Sequence, residues 1–174
     1  DPVLSRGLGD VYKRQCNGHI EVSNRKFHCW KRDGHGNVDL VKSLRESCDV
    51  YYYELAQKVG IEKIAEVARI LGLGQSFDIE MSAVTSGIVP DKIWKQKTRS
   101  REWVVGDTVN SSIGQGYVLS SPLQLAVMIA RIATGREILP KLIKSINGIE
   151  DKRIPDKLKP VSYTHLTLPT THGG

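Results

Sequence analysis

Asn37 to Gly60, NVDLVKSLRESCDVYYYELAQKVG, is the stretch whose reading decides the fold. It reads as two amphipathic helices meeting at a polar joint, Ser47-Cys48-Asp49. Val38, Val41 and Leu44 recur at helical spacing before the joint, and Val50, Tyr53, Leu55 and Ala56 recur after it. A Ser-x-Asp at such a joint has two explanations. Both residues are good helix N-caps, because their side-chain oxygens accept from the free N–H groups of a first turn. A hydroxyl and a carboxylate fixed on one elbow can also shuttle a proton. Taken alone the triplet favours capping, since caps are common and catalytic triplets few. Its surroundings have to decide.

The chain has 174 residues, 40% of them hydrophobic and 25% charged, which suits one soluble globular domain with a true core. No apolar run has the length of a membrane span, and no signal peptide is visible. Two segments stand apart. Ser5 to Gln15, SRGLGDVYKRQ, resembles a transposase sequencing adapter translated in frame, and Val161 to Thr170, VSYTHLTLPT, resembles the reverse strand of its companion. Residues 1–15 and 161–174 are therefore expected to be adapter-derived, and residues 16–160 to be part of a longer domain.

The net charge of +6 has a local source. Lys92, Lys95, Lys97, Arg99 and Arg101 crowd one segment beside Trp94 and Trp103. Basic residues interleaved with aromatics can bind single-stranded nucleic acid. The commoner arrangement is a solvated loop with its Trp rings tucked into the body, and no nucleic-acid partner is expected.

Cys16 to Lys31 reads as a hairpin turning at Ser23-Asn24, followed by a tight loop at Asp33-Gly34-His35-Gly36-Asn37. Cys16, His19, His28, Cys29 and His35 raise the question of zinc. Their spacing matches no standard finger or ribbon, so no metal site is assigned. Cys16 and Cys29 could pair as a disulfide in an oxidising compartment, leaving Cys48 over. Ile61 to Leu71 is a third helix with an apolar stripe of Ile61, Ile64, Ala65, Ala68 and Leu71. Gln75 to Gly116 shows no periodicity and reads as a long irregular segment of the kind that lines a groove. Its Gly114-Gln115-Gly116 lacks the glycine spacing of a phosphate loop, and no cofactor site is assigned. Ser121-Pro122-Leu123-Gln124 has the pattern of a capping box with Pro at the first helical position. The helix it opens is expected to turn Leu125, Met128, Ile129 and Ile132 to the core and to stop at Gly135. Lys141 to Ile146, Asn147-Gly148 and Ile149 onward read as a hairpin.

In combination these motifs resemble the class B penicillin-binding proteins. Phe27-His28-Cys29-Trp30, Gly34-His35-Gly36 and Ser47-Cys48-Asp49-Val50-Tyr51-Tyr52-Tyr53 resemble the region around that family's second active-site motif. Gly106-Asp107-Thr108, Ser112-Ile113-Gly114-Gln115-Gly116-Tyr117 and Ser121-Pro122-Leu123-Gln124-Leu125-Ala126 follow in the family's order. Trp94-Lys95-Gln96-Lys97 is similar to the rod-elongation branch, penicillin-binding protein 2, rather than the division-specific one. The resemblance implies an α/β fold: part of the penicillin-binding transpeptidase (β-lactamase-like) domain, mostly its helical subdomain plus a β-hairpin.

It also implies a peptidoglycan D,D-transpeptidase. In that family the serine of an S-x-x-K motif attacks a stem-peptide carbonyl, and the acyl group passes to an amine on a neighbouring stem. Ser47 would belong to the proton relay, and Asp49, where many relatives have Asn, would help hold the lysine. The implied partners are stem peptides, β-lactams and a membrane glycosyltransferase. The implied location is the periplasmic face of the bacterial inner membrane, on a single anchor. The S-x-x-K motif is expected upstream of Cys16 and the K-T-G motif beyond Pro160, so these 174 residues alone are expected to be inactive. Asp78 to Ser86 departs from the family pattern. A non-catalytic basic module using Lys92 to Trp103 is the alternative from another class.

Overall fold

The computed structural model describes residues 13–79, 84–150 and 155–158. Its amino-terminal part is built from two antiparallel ladders. β1 (Arg14–Cys16) pairs with β4 (Gly36–Val38), and β2 (His19–Val22) pairs with β3 (Arg25–His28). Ser23 and Asn24 both take positive φ, 50° and 61°, the geometry of the two-residue turn that matches strand twist. The expected hairpin is present, with Cys16 on the neighbouring ladder. Arg14 and Gln15, inside the adapter-like stretch, form β1 opposite Val38 and Asn37, where backbone pairing asks little of the side chains.

Ser23-Asn24-Arg25-Lys26 has the letters S-x-x-K ahead of Ser47, although the catalytic motif is expected upstream of Cys16. Its geometry is wrong for a nucleophile. A serine and a lysine three apart meet on one helical turn. Here Ser23 is an exposed turn residue, and Lys26 sits on β3 beside Glu21 at 3.5 Å.

Six helices follow among the described residues: α1 (Leu40–Arg45), α2 (Asp49–Val59), α3 (Ile61–Ile70), α4 (Lys92–Arg99), α5 (Val105–Ser111) and α6 (Pro122–Thr134). Asp39 caps α1, its carboxylate accepting from the Lys42 N–H at 2.7 Å. α1 is shorter than its apolar spacing predicts. Val38 belongs to β4 and is buried there, whereas Val41 and Leu44 are 67% and 66% exposed. The stripe after the joint holds: Val50, Tyr53 and Ala56 are buried on α2, and Leu55 packs at the edge of that core. Val50, Tyr51 and Tyr53 form the main core with Cys16, Val22, Cys29, Val38, Cys48 and Val109, and in it α2 lies against α5 and the strands.

Two helices, α4 and α5, occupy the segment expected to be irregular. α4 escaped notice because its buried inward residue is Lys95, which no apolar periodicity reveals. Asp91 starts it as a true N-cap, accepting from the Trp94 N–H at 2.7 Å. α5 is seven residues long and contains Gly106, where an added Cβ would lie 3.2 Å from the Phe27 ring. The glycine lets α5 approach the hairpin.

α6 begins and ends as its sequence indicates, with the Ser121–Gln124 capping box formed and Gly135 left-handed at its end. Its orientation reverses the expectation. Gln124, Val127 and Arg131 are the buried residues, while Leu125, Ile129 and Ile132 are exposed and Met128 lies between. The cause is hydrogen bonding. The Gln124 amide donates to the Gln75 and Ser86 carbonyls, both at 2.7 Å, and the Arg131 guanidinium donates to Ile70 at 2.7 Å and Ile138 at 3.1 Å. These bonds satisfy carbonyls at the loop ends, and the polar face of α6 turns inward to make them. β5 (Ser145–Ile146) and β6 (Ile149–Glu150) form the last hairpin around Asn147-Gly148, shorter than the sequence indicates.

Candidate active-site elbow and thiol cluster

The joint between α1 and α2 closes by two reversed hydrogen bonds. The Cys48 N–H donates to the Ser43 carbonyl at 2.9 Å, and the Ser47 N–H reaches back to Leu44 at 3.4 Å. Together they make the Schellman pattern of a helix end, with Ser47 at the position that normally holds glycine. Ser47 has φ 51°, a left-handed conformation that costs a side-chain-bearing residue about 1 kcal/mol. Strain of this kind persists where the surroundings fix it and clusters at functional sites.

The capping expectation is therefore corrected: Ser47 terminates α1 rather than opening α2. Cys48 is the N-cap of α2 and gives it no side-chain bond, and Asp49 is its first helical residue. Freed from capping, the Ser47 side chain is exposed, and its hydroxyl makes no hydrogen bond among the described residues. The Asp49 Oδ2 accepts from the backbone N–H of Trp30 at 2.8 Å, which leaves Oδ1 without a hydrogen bond among them. A hydroxyl and a carboxylate thus stand two residues apart on one rigid corner. Below them, burial and then the Asp49 charge push the Tyr53 phenol up to about 12, so it stays neutral.

α5 supports α2 from behind, and a buried ion pair holds it. The Lys95 Nζ lies 2.6 Å from the Asp107 Oδ2, with both side chains largely withdrawn from solvent. Asp107 also accepts from the Val104 N–H at 2.9 Å, and the Lys95 ammonium sits 5.9 Å and 5.7 Å from the Trp103 and Tyr117 rings. Trp94 packs on Tyr117, and the Trp103 Nε1 donates to the Thr108 hydroxyl at 2.8 Å. The Trp rings are engaged with the body of the protein, as expected of them.

Immediately beneath the elbow lies a group that the spacing of its residues along the chain does not reveal. Cys16, Cys29, His35 and Cys48 are all buried, and their ligand atoms lie within 4.8 Å of one another. The His35 Nδ1 is 3.6 Å from the Cys16 Sγ and 3.5 Å from the Cys29 Sγ. The edges of a zinc tetrahedron with ordinary Zn–N and Zn–S bonds are about 3.5–3.8 Å, so three thiols and an imidazole fit a structural Cys₃His site. The fold explains the gathering: Cys16 ends β1, Cys29 follows β3, His35 precedes β4, and Cys48 caps α2. Linear spacing hid it because Cys48 joins from a different element. All three cysteines are free thiols. Burial pushes Cys48 up to about 12, so the thiol between Ser47 and Asp49 is no nucleophile at neutral pH. A bound zinc would hold the thiols as thiolates and tie the elbow to both ladders. The His35 Nε2 is buried without a hydrogen-bond partner among the described residues.

The penicillin-binding protein transpeptidase domain family matches residues 6–168, and the chain belongs to that family. Several of its relatives carry the name peptidoglycan D,D-transpeptidase MrdA. The chain is 36% identical over 131 residues to the peptidoglycan D,D-transpeptidase MrdA of Acinetobacter baumannii, an alignment covering 75% of this chain and 20% of that protein. It is 36% identical over 148 residues to the protein of the same name from Haemophilus influenzae, covering 84% and 22%. Among solved structures, penicillin-binding protein 2 of Helicobacter pylori in complex with MreC has a TM-score of 0.78 at 35% identity, covering 91% of this chain and 29% of that one. Penicillin-binding protein 2 of Pseudomonas aeruginosa in complex with WCK 5153 also gives 0.78, at 34% identity, covering 87% and 35%. The chain spans about a fifth of the length of these curated relatives. The architecture described above is a partial α/β transpeptidase domain.

Proposed function

We propose that this chain is the part of a rod-elongation D,D-transpeptidase that carries the second active-site motif, with Ser47 in the proton relay and Asp49 holding the lysine of the nucleophile motif. The observation that carries this reading is the strained elbow. Ser47 is held left-handed and exposed with its hydroxyl uncommitted, and Asp49 is fixed two residues away with one oxygen to spare. A merely structural joint would be served better by glycine at residue 47.

The chemistry follows from the roles. A serine nucleophile is weak at its free pKa and needs a base beside it. The Ser47 hydroxyl can pass the proton from that base to the amine leaving the stem peptide, by accepting on its oxygen while donating its own hydrogen. The Asp49 Oδ1 can accept from the base and keep it aimed. The substrates are peptidoglycan stem peptides, with β-lactams as mimics. The partners are a membrane glycosyltransferase and the elongation assembly, and the location is the periplasmic face of the inner membrane. Relatives solved with MreC and in a peptidoglycan synthase complex support the assembly partners. No described helix is long and apolar enough to cross a membrane.

The test is release of D-Ala from a stem pentapeptide by the full-length transpeptidase containing residues 16–160. Ser47→Ala is expected to slow release about 100-fold or more, the contribution typical of a proton-transfer group. Release at the unsubstituted rate would defeat the assignment.

A further inference from the structure

Trp30 is an exposed aromatic with an unusual set of bonds. The residue is 63% exposed, yet both of its N–H groups are bonded to the elbow. The indole Nε1 donates to the Glu46 carbonyl at 3.0 Å, and the backbone N–H donates to the Asp49 Oδ2 at 2.8 Å. The ring meets His35 edge-on, with centroids 5.4 Å apart. Glu46 immediately precedes Ser47, and its carbonyl belongs to the peptide plane whose rotation sets the Ser47 φ. Asp49 lies on the other side of Cys48.

We propose that Trp30 is a positioning residue for the second motif: its two bonds bracket Ser47 and hold the backbone that aims the hydroxyl. The helix-end bonds of Ser47 and Cys48 alone leave the Glu46 carbonyl free to turn, since the Ser47 bond to Leu44 is long at 3.4 Å. A left-handed serine relaxes by rotating that peptide. The indole N–H blocks the rotation by occupying the carbonyl. The backbone N–H of the same residue orients the carboxylate, so hydroxyl and carboxylate are referenced to one anchor. This inference rests on the relay reading of Ser47.

The test uses the full-length transpeptidase and a fluorescent penicillin, resolving pre-acylation affinity from the acylation rate constant. Trp30→Phe keeps an aromatic ring against His35 and removes the donor. Benzothienylalanine at residue 30, which replaces the indole N–H by sulfur in the same ring shape, serves where Phe disturbs folding. Both are expected to lower the acylation constant about tenfold, the effect of one neutral hydrogen bond, with affinity unchanged. Neither should slow a Ser47→Ala enzyme further. Weakened affinity at an unchanged rate constant would make Trp30 a substrate contact and overturn the inference. Equal slowing in the presence and absence of the Ser47 hydroxyl would overturn it too, as a general structural effect. A slow Ser47→Ala enzyme with both Trp30 variants at the unsubstituted rate overturns the positioning role alone. Ser47→Ala acylating at the unsubstituted rate overturns the relay reading, and the positioning role with it.

Discussion

The N–H of Cys48 donates to the carbonyl of Ser43 at 2.9 Å, and this bond folds the end of α1 around Ser47. It puts a serine where helix ends favour glycine, and the proposed relay is what would keep a hydroxyl there. Ser47→Gly is expected to stabilise the fold by about 0.5–1 kcal/mol, measured by urea unfolding, and, on the proposed relay role, to slow acyl transfer. Ser47→Ala keeps the strain and should leave the urea midpoint nearly unchanged. Stability and activity then move in opposite directions at one residue.

Lys95 and Asp107 make a buried pair whose members depend on each other. Lys95→Ala leaves the Asp107 carboxylate without its cation and is expected to destabilise the fold by about 3 kcal/mol. Asp107→Asn keeps an oxygen for the Val104 N–H but strands the ammonium. A double-mutant cycle in urea should show a coupling energy above about 1 kcal/mol, well beyond that of an exposed pair.

Much of this architecture was legible in the sequence, and its failures share a cause. Turns and caps declared themselves: Ser23-Asn24, Ser121 to Gln124 and Gly135 behave as their residue types dictate. Apolar periodicity failed where polar groups take the inside. Lys95 on α4 and Gln124 and Arg131 on α6 are buried because they satisfy a carboxylate or loop carbonyls, which hydropathy does not encode. The ordered motifs single out Ser47 and Asp49 as site candidates, and the left-handed backbone of Ser47 is not foreseeable from Ser-Cys-Asp. The thiol cluster was missed because its four donors come from separate elements.

Zinc is expected to bind Cys16, Cys29, His35 and Cys48 at one ion per chain. Cobalt(II) in its place should give the visible absorption of tetrahedral thiolate coordination. At a hundredfold excess over its dissociation constant, zinc should raise unfolding stability by about 2.7 kcal/mol, and a chelator should reverse the gain. Cys48→Ser leaves Cys16 and Cys29 as thiolate ligands and should weaken the thiolate-to-cobalt signal without abolishing it. A cobalt spectrum without thiolate bands would reject the site.

Asp91 gives the fold an acid-sensitive point. Burial alone would raise its carboxyl, but the Trp94 N–H and the Arg69 guanidinium outweigh it and hold the group below its ordinary value. A depressed folded-state value means that the unfolded chain binds the proton more readily. The contribution is therefore complete above the ordinary carboxylate value of about 4 and is lost as pH falls through the depressed one. Asp91→Asn keeps a capping oxygen and gives up the ion pair, so its deficit should be present at pH 7 and shrink in acid. Paired urea titrations at the two pH values measure it.

The 174 residues by themselves are expected to take no covalent label from a fluorescent penicillin, because Ser23-Asn24-Arg25-Lys26 lies on a hairpin rather than a helical turn. Labelling that is lost on Ser23→Ala would show that reasoning to be wrong.

We propose that the Ser47 hydroxyl carries a proton in acyl transfer. The most direct measurement of this role is the penicillin acylation rate constant of the full-length enzyme with and without Ser47→Ala, at matched thermal stability. A fall of about 100-fold or more is expected, with pre-acylation affinity retained. Equal rate constants would contradict it.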